Sequence, residues 1–223
     1  MHRFSVFFVL ICVWVAPVAY GKDSPEGIRP LIILEAPIHT FIPSGVKFLN
    51  EPKTTEQFLT KLEGHPPDWK YLLGNNVDER YDRLFDESEK RDALRIDNPN
   101  LTQPIAFLWD GFLTSVRDGK AGFGVSIGPR QIQTSWGIVR FKLANEPVEM
   151  TAMLPPSLFE ALKKKRAGKE EVAIIILYRG KLIPEESVMY DFSTTKEGEG
   201  MILPIVELTQ VDYYLPKSEV PSP

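Results

Sequence analysis

One run, residues 172–183, constrains the fold more than any other: Val-Ala-Ile-Ile-Ile-Leu-Tyr-Arg-Gly-Lys-Leu-Ile. Residues 173–177 are all apolar and include Ile174, Ile175 and Ile176. β-Branched side chains pack well on a pleated surface and lose rotamer freedom in a helix, so the run predicts a strand buried on both faces. Gly180 permits a bend or a close backbone approach before Leu182 and Ile183 continue the strand. The rest of the chain must supply two layers to cover it.

Most of that cover reads as strand. Residues 105–116 predict a first strand, broken near Asp110-Gly111, with a turn at 117–120. Residues 122–127 predict a second. Residues 131–143 alternate toward their end through Trp136, Ile138, Phe141 and Leu143, and residues 148–154 alternate again. Pro155-Pro156-Ser157 opens a helix, with Ser157 as its expected cap, that runs through Lys163-Lys164-Lys165-Arg166 to Gly168. After the run at 172–183 comes a polar loop, 191–200, and a last strand, 201–214. The tail 216–223 carries Pro216, Pro221 and Pro223 and is expected to be disordered.

Strands, then one helix, then a closing pair is the order of a small Greek-key barrel. Over residues 105–215 the chain resembles the OB-fold superfamily in topology. The stretches that carry the resemblance are 136–143 (Trp-Gly-Ile-Val-Arg-Phe-Lys-Leu), the helix at 158–165, the run at 172–183, and 205–214. Residues 122–127 exceed a minimal five-strand barrel. The expected fold is α+β: a mainly β, OB-like C-terminal barrel with one helix, preceded by a short helical region.

The sequence before the barrel divides into three parts. Residues 1–21 read as a secretory signal: Arg3 in a short positive segment, an apolar run at 4–18, and small residues at Ala19 and Gly21 before Lys22. The competing reading is an uncleaved anchor, but the run is shorter than the ~20 residues of a spanning helix. Residues 22–53 carry Pro25, Pro30, Pro37, Pro43 and Pro52, which argue against a long helix or a central strand. They predict an extended arm with edge-strand pieces, which wraps the body or reaches a partner. Residues 54–103 predict helices, starting at Thr54 or Thr55, near Trp69, and, clearest of all, from Asn76 as cap to about Arg95. In that last helix Val77, Tyr81, Leu84, Phe85 and Leu94 form the expected inward stripe. Glu79 with Arg83, Asp86 with Lys90, and Glu87 with Arg91 are acid-before-base pairs at i,i+4.

Charge and cysteine content narrow the setting. Lys and Arg number 26 against 30 Asp and Glu; losing residues 1–21 removes Arg3 alone, so 25 − 30 leaves a net charge of −5. Such a chain has no global attraction to nucleic acid or anionic lipid. The signal implies an exported chain, periplasmic or secreted. The single cysteine, Cys12, lies in that signal, so a processed chain has no disulfide and no thiolate chemistry, which favours a bacterial periplasm over a disulfide-stapled eukaryotic secreted domain.

Chemistry-bearing motifs are scarce. Beyond the signal only His39 and His65 remain, and with no cysteine they give no zinc set at usual spacing. The glycine-rich residues 119–124 precede a strand, so they read as a hairpin turn rather than a phosphate loop. The acids Asp78, Glu79, Asp82, Asp86 and Glu87 are interleaved with Arg80, Arg83, Lys90 and Arg91, as on a solvated face. No enzymatic role and no cofactor are expected. Binding is the better reading, with Arg130, Trp136, Arg140, Lys142, Tyr178 and Arg179 as candidate ligand residues on the barrel face, joined by Lys181. OB-fold binders stack bases or sugars on such aromatics and meet phosphates with such cations. The expected function is an exported binding or assembly module with a protein partner in the cell envelope; the alternative is an oligosaccharide or single-stranded nucleic-acid binder. Membrane contact would run through Lys163, Lys164, Lys165 and Arg166, or through an uncleaved N-terminal segment.

Overall fold

The computed structural model describes residues 25–74, 76, 79–117, 121–193 and 199–220. The expected signal at 1–21 and parts of the turns near 118 and 195 lie outside these. The strands are β1 (Ile28–Leu34), β2 (Lys47–Phe48), β3 (Ile105–Val116), β4 (Gly122–Gly128), β5 (Ile132–Thr134), β6 (Gly137–Val139), β7 (Lys142–Leu143), β8 (Thr151–Met153), β9 (Ala173–Leu182), β10 (Val188–Phe192) and β11 (Gly200–Pro216). The helices are α1 (Pro52–Glu63), α2 (Trp69–Leu73), α3 (Arg80–Arg95) and α4 (Pro156–Ala167).

Six strands close a mixed barrel in the order β1-β8-β4-β3-β9-β11, and β11 returns to β1. Strands β8-β4-β3-β9-β11 are antiparallel neighbours, while β1 runs parallel to both β8 and β11. The closing strand therefore comes from the proline-bearing segment. A strand paired on both sides was not expected there, and the pairing explains how the prolines are tolerated. Residues 28–30 pair with β8 and residues 31–34 with β11, so Pro30 sits where one partner gives way to the other. Residues 122–127 fall in β4, which pairs with β3 and β8 inside the barrel, and β1 is a further barrel strand. Residues 131–143, expected as one strand, form β5, β6 and β7; β6 and β7 pair with β11, β5 pairs with β6, and β10 joins the same small sheet.

Period-two alternation places Phe107, Trp109, Ile174, Ile176 and Tyr178 in the main core, with Phe107 stacked on Phe141 at 4.3 Å and on Tyr178 at 5.4 Å. Their alternates Ala106, Leu108 and Leu177 point outward. There Leu34, Ile38, Phe41 and Phe48 of the N-terminal segment cover them, and Phe41 meets Tyr214 at 5.0 Å. β9 is thus buried on both faces by two different parts of the chain. At Gly180 a Cβ would stand 2.3 Å from the Glu207 carbonyl oxygen, so the close approach of β11 requires glycine. Phe58, Leu59, Leu62, Leu72 and Leu84 join the same main core, so helices and barrel share one interior. Of the tail expected to be disordered, Lys217–Glu219 form a single helical turn and Val220 packs on that core, while residues 221–223 lie outside the described residues.

Candidate functional site: the α3–β10 groove and the ion network beneath it

α3 turns a different face inward from the expected one. Leu84 is buried, but the positions that share its stripe are Ser88, Arg91 and Arg95. Tyr81, Phe85 and Leu94 are 61%, 62% and 77% exposed, so three of the five apolar residues expected in the core face solvent. Val77 lies outside the described residues.

The inward arginines are held by Glu63 at the end of α1. Its carboxylate accepts from Arg91 Nη1 and Arg95 Nη1, both at 2.7 Å, and from the Tyr190 hydroxyl. The side chains of Glu63 and Arg95 are each 1% exposed. Arg91 also donates to Glu87 at 2.5 Å and to the carbonyls of His65 and Pro66. Arg95 donates to Asp92 at 2.5 Å and to Ser187 Oγ at 2.9 Å. Burial disfavours the charge on Arg95, but Glu63 and Asp92 outweigh it and its pKa stays above the ordinary value. Burial, reinforced by Glu63, pushes the Tyr190 hydroxyl above the usual tyrosine range. Nearly every donor in the cluster has an acceptor, as a buried ion network must. The network clamps α1, α3 and β10 together.

Above it lies a groove of about 640 Å³ between α3 and the residues leading into β10. Tyr81 and Phe85 provide apolar walls from α3, and Met189 and Tyr190 from β10. Its acids are Glu89, Asp92, Glu185, Glu186 and Asp191. Ser88 Oγ accepts from the Tyr190 backbone N–H, so α3 already occupies that point on the edge of β10.

The candidate residues taken from sequence are dispersed. Trp136 is 6% exposed; its carbonyl accepts from Trp69 Nε1 at 2.5 Å, and its ring borders only a shallow depression beside Lys53 and Lys61. Tyr178 is fully buried in the barrel core, so neither aromatic offers a face for stacking. Arg130 pairs with Asp110 at 2.9 Å, and Arg179 pairs with Asp212 at 2.5 Å on the outer face. Arg140 is half-buried between β6 and β7. Lys142 is exposed and approaches Met189 Sδ at 3.6 Å, and Lys181 reaches Glu207 at 3.8 Å. The expected stacking surface therefore does not assemble. In the basic run, Lys165 pairs with Glu219 at 2.8 Å, Lys163 approaches Glu160, Arg166 donates to the Glu170 carbonyl, and Lys164 is exposed.

Sequence reasoning missed Glu63, Arg91, Arg95 and Tyr190. The signal for the two arginines was the 84, 88, 91, 95 spacing, which places them on the stripe of Leu84, whereas Glu63 and Tyr190 meet them only through tertiary packing. Among the described residues no helix is long and apolar enough to cross a membrane. No family model, curated protein or solved structure matches this chain.

Proposed function

We propose that the chain is a non-enzymatic binding or assembly module of the cell envelope, exported by residues 1–21 and built on an OB-like barrel. Five strands support the OB-like reading: the antiparallel neighbours β3, β4 and β8, then α4, then the antiparallel pair β9 and β11, with β9 beside β3 and the small sheets of β5–β7 and β10 inserted between them. β1 fills the gap between β8 and β11, parallel to each. The observation that carries the binding role is the solvent-facing flank of α3. Tyr81 and Phe85, one turn apart on α3, are 61% and 62% exposed and both wall the groove. Contiguous exposed apolar surface beside a groove marks a contact site more often than scattered single residues do.

The test compares the protein with its Tyr81→Ser/Phe85→Ser variant as baits in detergent-solubilised envelope from the source cell. A stoichiometric partner held by the first and lost by the second, with both equally stable, is the expected result. Equal recovery by the two baits, or no partner with either, overturns the proposal.

A further inference from the structure

We infer that the α3–β10 groove takes an extended, lysine- or arginine-bearing apolar segment of a protein partner, an inference that rests on the binding role just proposed. The groove offers two features that no anionic or neutral occupant would use together. Aromatic faces at Tyr81 and Phe85 can hold aliphatic chains and cationic heads. Among the described residues, Glu89, Glu185 and Glu186 make no ion pair, although all three border the same space. Unpaired carboxylates beside apolar walls complement a cation on an apolar stem.

The nearest cations sit at the rim of the groove, where Lys142 shares a depression with Glu186 without reaching ion-pair distance. Lys142 points to Met189 Sδ, and Arg80 lies over the Phe192 ring at 5.1 Å; neither pairs with the three free acids. Asp92 is committed to Arg95, so the ligand-facing charge rests on the other acids. The lining extends along α3 from Tyr81 to Asp92, about 16 Å at 1.5 Å per residue. That length accommodates about five extended residues at 3.3 Å each, more than a compact small cation fills. Ser88 already holds the Tyr190 N–H, so side chains rather than an added strand supply recognition.

The experiment titrates the protein with two labelled peptides, one alternating lysine with leucine and one alternating glutamate with leucine. Binding is read by anisotropy, and backbone amide shifts locate it. The lysine peptide is expected to shift amides of α3 and β10. The Glu89→Gln/Glu185→Gln/Glu186→Gln variant should weaken its binding about tenfold, the scale of three exposed charge contacts. A control variant, Glu170→Gln/Glu171→Gln on the loop after α4, should leave it unchanged. Equal binding of both peptides at the groove overturns the cationic occupant while leaving the binding role intact. Equal weakening by the control variant, or no amide shift along α3, overturns the inference, and the bait comparison above judges the binding role separately.

Discussion

Replacing Glu63 is the most demanding test of the buried network. Glu63→Gln keeps the shape but removes the charge shared by Arg91, Arg95 and Tyr190. The best amide orientation leaves its carbonyl on Arg95 and turns the NH₂ toward Tyr190 and Arg91. Arg91 then loses one acceptor but keeps Glu87, His65 and Pro66. Breaking a buried pair costs about 3–5 kcal/mol, and the remaining acceptors place Glu63→Gln near the lower end. Glu63→Ala removes every acceptor and adds a cavity, which places it near the upper end. For a chain of this size the two should lower Tm by roughly 6–20 °C, at about 2–4 °C per kcal/mol. Differential scanning calorimetry with urea titration at pH 7 measures both. The exposed pair provides the control: Glu79→Gln, whose partner is Arg83, should cost less than about 1 kcal/mol. If Glu63→Gln costs no more than Glu79→Gln, the network does not clamp α3, and the account of the groove's floor fails.

Three further outcomes follow from packing and titration. Gly200→Ala should destabilise by about 1–3 kcal/mol in urea unfolding, because its Cβ would stand 2.1 Å from the Trp69 ring; a neutral result would show that Trp69 moves freely. Leu31→Ala should cost about 2–5 kcal/mol, as for a core leucine, although it lies in the proline-bearing segment; a cost below 1 kcal/mol would mean that β1 does not close the barrel. Stability should fall as pH rises above about 10, where tyrosines ionise in the unfolded chain while Tyr178, Tyr190 and Tyr213, held protonated chiefly by burial, do not. Tyr190→Phe should make that slope shallower by about 1.4 kcal/mol per pH unit; an unchanged slope would place the Tyr190 hydroxyl in solvent.

Local sequence determined the elements whose interactions are near in the chain. The isoleucines of β9 specify a strand through their own sterics, and the apolar patterns of β3, β4 and β11 specify theirs. The helix at α4 follows from its flanking prolines and glycine, and Glu79–Arg83 and Glu87–Arg91 follow from i,i+4 spacing. Tertiary structure decided what depended on partners distant in sequence. Proline disfavours a central strand only when one neighbour needs the missing N–H; β1 changes partners at Pro30, so the local rule did not apply. α3 illustrates the same limit. Hydrophobic patterning assumes that the inward stripe meets apolar surface, whereas α3 meets Glu63 and Tyr190, and ion pairing makes arginine the residue to bury. Tyr81 and Phe85 were therefore left outside. Periodicity alone marks which residues share a face, and the charge of the opposing element decides which face turns in.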